Sequence, residues 1–557
     1  MSDKLEAYRR AESPLPGEMS LIPLYGAGFE NLGVSGKPIR VPVPRPRADE
    51  LLVRHDAVGL CFSDYKVIRA GQSHPRIRRD MSKDPVVLGH EVALTVVGVG
   101  EDLRGQYRVG DRFLVQADIY VDGVGHTYGY EIQGGLSQFN IVDQRVLNGD
   151  GGCYLLPLQP TTGYAEAALT EPWACVEAAC NAEYRTTWLR GGSVLVAGEG
   201  DATGWESWHP ARVCLASVSP ALAERVYSWG AARGIEVAPD DGQSVFDDIL
   251  VLSSDADLIE AAATRLAGGG VLAVLTNEQV ARRIQFDVGR LHYDAITLVG
   301  ASGDDVSAAY VPVRKSLKAG GCMWAMGAAG PMGHMHVQRA IELDRSPALI
   351  VATNLRSPRI SELADSYGSA AEDRGIKLVC LTEEQVGSDA FRHRLWEETR
   401  GRGFDDIVVL APSTAAFGQA IEFAAPGGLV NLFAGLRRGT MAPVDVNKVV
   451  GGAVRLIGTS GSSIADMRRM LALSESGAIS TNRSVAAIGS LEAAIEGLVA
   501  VSEGRFAGKV VIYPQISHLP LTPLPGLKTA LPNSYRRLAD GREWTLEAEE
   551  ELLRTLL

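Results

Sequence analysis

One part of this chain is written twice. FDDILVL (246–252) returns as FDDIVVL (404–410) with a single replacement, and ITLVGASG (296–303) returns as VRLIGTSG (454–461). Phe246 lies 54 residues before Gly300, and Phe404 lies the same 54 before Gly458. Farther upstream, SPALAERVYSWG (219–230) aligns with SPRISELADSYG (357–368). Agreement at three places in one order points to a duplication. In each copy, short apolar runs alternate with helical stretches, the pattern of a doubly wound parallel sheet. A chain of 557 residues has room for both copies and for one or two further domains.

The copies part where chemistry would sit. WAMGAAGPMGHMHVQRAIEL (324–343) reads as a strand, then Gly327-x-x-Gly330-x-x-Gly333, then a helix, with Pro331 and Met332 inside the turn. Small residues there let the backbone approach a pyrophosphate, and the helix N-terminus offers free N–H groups and the positive end of its dipole. In the first copy 21 residues run from Gly198 to Ser219, where the second has 30 from Gly327 to Ser357. The nine missing residues amount to about two and a half helical turns. GEGDATGWESWHP (198–210) also carries Pro210 and two tryptophans. The first copy is therefore expected to be degenerate, to bind no dinucleotide and to serve the architecture. At the end of the second strand, ALIVATNLRSPR (348–359) has Asn354 where NAD enzymes place a carboxylate for the ribose hydroxyls. With no carboxylate to repel a 2′-phosphate, and with Arg356 and Arg359 nearby, NADP(H) is expected over NAD(H).

Ahead of the duplication come Cys61 in VGLCFSDYK (58–66), His90 and Glu91 in VVLGHEVAL (86–94), and Glu171 in ALTEPWACVEAA (168–179). A thiolate, an imidazole and one or two carboxylates suit zinc, and three protein ligands with an open position make a catalytic site. Taken singly, a buried small cysteine and a core histidine are the plainer readings. The order of the three segments, followed by the glycine-rich turn, reverses that judgement.

In that order the segments resemble the zinc-dependent medium-chain dehydrogenases, particularly the sorbitol, polyol and sorbose-1-phosphate reductase branch. The resemblance covers most of residues 20–190 and 313–515. It implies an α/β protein: a GroES-like β-rich catalytic domain plus two tandem Rossmann-like doubly wound parallel sheets, the first degenerate. The expected divisions are 1–188 for the zinc catalytic domain, 189–312 for the degenerate repeat and 313–475 for the NAD(P)-binding domain. Residues 476–557 would return to the catalytic domain and add a tail. The short strands RVGDRFLVQ (108–116) and GGLSQFNIV (134–142), broken by glycine, agree with a β-rich first part.

The resemblance further implies that Glu171 completes the metal set while Glu91 ligates or waits behind it. It implies that Ser63 passes on the alcohol proton; a helix N-cap is the plainer role for that serine. Ala434 and Gly435 in NLFAG (431–435), with Thr459 and Ser460 in GTSG (458–461), are expected near the cofactor. Lys66 falls where several relatives carry a relay histidine. The seven cysteines are scattered without a CxxC pair, and the stretch 116–135 that corresponds to the family's structural zinc lobe has none, so one zinc is expected. The basic loop GQSHPRIRRDMSKD (71–84) corresponds to the family's substrate entrance. Arg76 and Arg78, with Lys66, are candidate substrate residues, since guanidinium groups bind phosphate oxygens bidentately; a solvated surface loop is the alternative.

A net charge of −13 argues against nucleic acid or an anionic membrane as partner. MSDKLEAYRR lacks the apolar core of a signal peptide, so a cytoplasmic enzyme is expected, assembled as a homo-oligomer, dimer or tetramer. The expected reaction is hydride transfer between NAD(P) and a secondary alcohol or ketone of a polyol, sugar, sugar phosphate or cyclitol. A lyase or epimerase that keeps NAD(P) bound is the alternative, and a non-catalytic binding protein on the same fold is a third reading.

Overall fold

Nine consecutive buried residues, Leu51–Gly59, form the central strand of the first of two units. In the computed structural model, which describes residues 4–181, 184–312, 316–343, 345–355 and 359–557, this unit comprises residues 1–177 with 461–557. The strand pairs antiparallel with Glu91–Val99 on one side and with Lys509–Tyr513 on the other, and Phe139–Val142 pairs with its first half. Three remote parts of the chain thus meet along one β ribbon. Val53, Val58, Leu60, Val92, Leu94, Val510 and Ile512 fuse into one apolar core beneath it. Each such side chain contributes about 1.5–3 kcal/mol by leaving water.

The C-terminal tail, whose place the sequence leaves open, belongs to this unit. Helix Leu546–Leu556 starts at Thr545, whose hydroxyl accepts from the Ala548 N–H at 3.1 Å. One turn on, the buried Glu549 carboxylate accepts from the N–H groups of Tyr164 (2.6 Å) and Ala165 (2.7 Å) and from the Tyr513 hydroxyl (2.8 Å). Those two amides open the helix Tyr164–Cys180, which carries Glu171. Free amides and the positive dipole end at a helix start favour a carboxylate there.

The second unit, residues 178–460, is built on one sheet of twelve strands. In chain order these are β1 (Ser193–Ala197), β2 (Arg212–Ala216), β3 (Glu236–Pro239), β4 (Phe246–Val251), β5 (Leu266–Leu275), β6 (Thr297–Ala301), β7 (Cys322–Met326), β8 (Leu349–Asn354), β9 (Lys377–Thr382), β10 (Phe404–Val409), β11 (Ala424–Leu432) and β12 (Arg455–Gly458). Their spatial order is β3-β2-β1-β4-β5-β6-β12-β11-β10-β7-β8-β9. Each half is parallel and runs 3-2-1-4-5-6 from its own edge, the doubly wound order of a dinucleotide-binding fold. The two expected sheets are therefore the halves of one.

They join antiparallel at β6 and β12, where Leu298 faces Leu456. These are counterparts under the same offset of 158 residues that carries Phe246 to Phe404. Strands Ile284–Asp287 and Met441–Val444 cross the same axis, and their middle pair, Gln285 with Pro443, is again a residue facing its counterpart. Asp287 and Asp445 each cap a short helix, accepting from Gly289 and Asn447 N–H groups at 3.1 Å. In both pairings a residue of one half thus faces its counterpart in the other, as a local two-fold relation requires. The core there is continuous: Phe286, Leu298, Val444, Val450 and Leu456 lie in one buried cluster.

The halves differ as the sequence leads one to expect. Helix Pro331–Glu342 follows β7, whereas no helix forms between β1 and β2. Trp205 and Trp208 from that connection pack with Trp188, Trp229 and Tyr310 into an aromatic plug, with Trp188 and Trp208 rings 5.2 Å apart. Among the described residues, no helix is long and apolar enough to cross a membrane.

Candidate functional site

The central strand delivers the chain to Cys61, which takes the N-cap position of helix Phe62–Ala70. A thiol there meets the positive end of the helix dipole, which favours the thiolate a metal needs. Fully buried Asp64 ties two candidate ligands together. One carboxylate oxygen accepts from the Cys61 N–H at 3.0 Å, and the other lies 3.0 Å from His90 Nδ1. That contact fixes the ring and leaves Nε2 to coordinate. Burial alone would lower the His90 pKa; Asp64 and Cys61 beside it more than reverse this and hold it well above its usual value.

Ligand atoms of Cys61, His90 and Glu91 all lie within 4.8 Å of one another. Glu91 is fully buried, with one oxygen ion-paired to buried Lys509 and the other without any partner. Gly59, opposite Glu91 in register, explains how the carboxylate fits: a Cβ at 59 would collide with that free oxygen. Glu171 stands outside the 4.8 Å cluster. Lost hydration, with Glu91 and Asp118 nearby, raises its carboxyl to about 7 against the pull of His90 and Lys509. A buried carboxylate oxygen without a partner is costly unless a cation faces it. The thiol, the oriented imidazole and these carboxylates fit a zinc ion.

Ser63 lies on the first turn of the helix; Cys61, not Ser63, is its N-cap. Ser63 and Lys66 are part-buried. The candidate substrate arginines are occupied. Arg76 pairs with Asp118 and donates to Thr127 Oγ1 at 3.1 Å. Arg78 donates to the Gly125 carbonyl, and its neighbour Arg79 to the Glu131 carbonyl and to Asp84 at 3.2 Å.

In the second unit the expected nucleotide residues gather at the carboxyl ends of parallel strands. Gly327 follows β7 with φ +85°, a conformation that favours glycine. Gly330 caps helix Pro331–Glu342, and a Cβ there would meet nothing within 4 Å. At Gly333 a Cβ would strike the Ala328 backbone, so glycine permits the close approach of loop and helix. Pro331 and Met332 form the first turn. Asn354 ends β8, and Arg359 caps helix Ile360–Asp373. Arg356 lies outside the described residues. Ala434 and Gly435 follow β11, and the Ala434 N–H donates to Val409 at 2.9 Å. Thr459 and Ser460 follow β12, with Thr459 Oγ1 3.2 Å from the Asn431 amide. Strand order reverses between β10-β7 and β7-β8, the crevice where such sheets bind ligands.

Sequence reasoning missed Lys509 and Asp118, and gave Asp64 no part in the site. Lys509 opens an ordinary strand, GKVVIYP, 418 residues from Glu91, and no local pattern marks it.

Residues 47–153 match the alcohol dehydrogenase GroES-like domain. The chain is 25% identical over 486 residues to mannitol-1-phosphate 5-dehydrogenase of Aliivibrio fischeri, covering 86% of this chain and 84% of the relative. It is 23% identical over 521 residues to L-sorbose 1-phosphate reductase of Klebsiella pneumoniae, covering 92% and 93%. Among solved structures, 2R,3R-butanediol dehydrogenase from Bacillus subtilis superposes with a TM-score of 0.53 at 17% identity, over 89% of this chain and all of that one.

Proposed function

We propose that this chain, a zinc- and NAD(P)-dependent medium-chain dehydrogenase, interconverts a secondary alcohol and its ketone on a polyol or sugar. The carrying observation is the cluster of Cys61, His90 and Glu91 within 4.8 Å, with a partnerless Glu91 oxygen. Bound zinc supplies a Lewis acid that acidifies an alcohol, and the nicotinamide exchanges the hydride.

Cys61, His90 and Glu91 would hold the ion, with Lys509 paired to the second Glu91 oxygen and Glu171 next to the set. Asp64 sets the His90 ring and, through the Cys61 N–H, the helix start. Ser63 takes the hydroxyl proton at its Oγ. Lys66, three residues later on the same helix, has no lone pair to accept a proton, so the proton of the Ser63 hydroxyl would leave to water instead. In the second unit, Gly327, Gly330 and Gly333 leave room for a pyrophosphate at the start of helix Pro331–Glu342. Ala434, Gly435, Thr459 and Ser460 would border the nicotinamide half. Asn354 and Arg359, with Arg356, favour NADP(H), since no carboxylate ends β8. The first half of the sheet, its site filled by tryptophans, serves the architecture.

Cys61→Ser tests this reading. Zinc content should fall from one per chain towards none and turnover should be abolished, while nucleotide binding, read by fluorescence titration, is retained. A fully active variant would remove the zinc assignment.

A further inference from the structure

The loop that holds Ala434 and Gly435, residues 433–440, leaves β11 and runs to the strand Met441–Val444. Its first part is tied to its own half: the Phe433 and Ala434 N–H groups donate to the Val409 carbonyl at 3.1 and 2.9 Å. Beyond Gly435 the anchors change. Among the described residues, every hydrogen bond that residues 436–440 make outside this loop goes to the other, degenerate half. Arg438 Nε donates to Asp294 at 2.7 Å, its guanidinium lies over the Tyr293 ring, and the Gly439 N–H donates to Asp287 at 2.8 Å. The Val288 N–H donates back to the Thr440 carbonyl at 3.0 Å. Gly289 lies flat against the loop, since a Cβ there would collide with the Arg437 carbonyl. The same short helix, Val288–Tyr293, backs a second segment: a Cβ at Gly458, the last residue of β12, would collide with the Leu291 backbone. Thr459 and Ser460 follow directly. One helix of the first half thus stands behind both segments assigned to the nicotinamide.

We infer that the first half is a positioning element for the cofactor: Asp287, Gly289, Leu291 and Asp294 fix the loop 433–440 and the end of β12, and so set the nicotinamide half of NAD(P). The inference rests on the nicotinamide placement proposed above and deepens it, by giving the duplicated half a part in the reaction. The pyrophosphate and adenosine side depends on β7 and β8, which lie three and four strands beyond β12. Loosening the clamp therefore loosens one half of the nucleotide and spares the other. As a stabiliser the Arg438–Asp294 pair is weak, because the Arg438 side chain is 60% exposed. Its worth is geometric: a displacement of about 1 Å at a reacting centre can cost roughly 100-fold in rate. The mirror contact supplies an internal control. Asn447, the counterpart of Gly289 under the 158-residue offset, holds the N–H and the carbonyl of Val280 at 2.9 and 3.0 Å. It steadies a loop of the half for which no cofactor is proposed.

The test is isothermal titration of the wild type and of Gly289→Ala, Asp294→Ala, Arg438→Ala and Asn447→Ala. The ligands are NADPH and 2′-phospho-ADP-ribose, the same nucleotide without its nicotinamide, with NADH and ADP-ribose as a second pair. Gly289→Ala, Asp294→Ala and Arg438→Ala should weaken the intact nucleotide at least about tenfold, keep the fragment within about twofold, and lower kcat by about 10- to 100-fold. Arg438→Ala, at an exposed side chain, keeps the test open should the wedge at Gly289 prevent folding. Combining Asp294→Ala with Arg438→Ala should cost no more than either alone, since both cut one contact. Asn447→Ala should leave the intact-to-fragment ratio at its wild-type value. An unchanged ratio in Asp294→Ala and Arg438→Ala, or an equal shift in Asn447→Ala, overturns the inference and leaves the dehydrogenase reading standing. A wild type that binds neither pair of nucleotides would instead sink the reading beneath it.

Discussion

Lys509→Met removes the buried ammonium that pairs with Glu91. The ammonium is 4% exposed and the carboxylate 0%, so neither can turn to water when its partner is removed. Breaking such a pair from one side leaves a buried uncompensated charge and costs about 3–5 kcal/mol. Glu91→Gln should cost a similar amount, because it strands the ammonium instead. Replacing both by neutral groups of similar size removes the penalty with the pair, so the double variant should be less destabilised than the sum of the singles by about 2–3 kcal/mol. The assay is urea unfolding of metal-stripped protein, followed by circular dichroism, with the m-value compared among all four proteins. Stripping matters, since zinc at the free Glu91 oxygen would supply a replacement charge. Adding zinc should accordingly shrink the loss in Lys509→Met. Single costs below about 1 kcal/mol, or strictly additive effects, would refute the account of a tightly coupled buried pair.

Gly330→Asp should abolish NADPH and NADH binding by crowding and repelling the pyrophosphate, whereas Gly200→Asp should leave affinity unchanged; isothermal titration of both variants decides between the two halves. His55 is fully buried between the Ser137 carbonyl (2.8 Å) and the Tyr128 hydroxyl (2.7 Å), and burial lowers its pKa to about 4. The unfolded chain takes up that proton near pH 6.5 and the folded one only near 4. Stability should therefore be full above pH 6.5 and fall by about 3 kcal/mol as pH drops towards 4, with a shallower fall in His55→Gln, measured by denaturant titration across that range. Glu549→Ala strips the amides of Tyr164 and Ala165 of their acceptor and should cost about 2–4 kcal/mol, read as a lowered melting temperature; an unchanged one would mean the tail is dispensable.

What the sequence made legible was whatever is local. Cys61, the His90-Glu91 pair and the glycines at 327, 330 and 333 each sit within short motifs that carry their chemistry with them. That each half is a doubly wound parallel sheet followed from alternation and from the family resemblance. What stayed hidden depends on distant pairing. Arg76, Arg78 and Arg79 look available when counted along the loop, but their partners lie between Asp84 and Glu131 and neutralise or hold them. Lys509 reads as the first residue of a strand until the sheet sets that strand beside Leu51–Gly59. The joining of β6 to β12 has no local signal either, although both segments were visible as one part of the duplication. An unpaired sheet edge needs covering, and here each copy's edge is covered by the other's.

The antiparallel junction of β6 and β12 also governs how the protein responds to dilution and to mutation. Two separate subunits meeting on such an axis would part at low concentration, and every substitution would fall on both faces at once. Here the covalent connection holds the two faces at a fixed effective concentration, so the joint is first-order and indifferent to how much protein is present. A change to one face is also not repeated on the other. One half can therefore carry the packed Trp205 and Trp208 after its first strand while the other carries Gly327, Gly330 and Gly333, an asymmetry that identical subunits cannot reach.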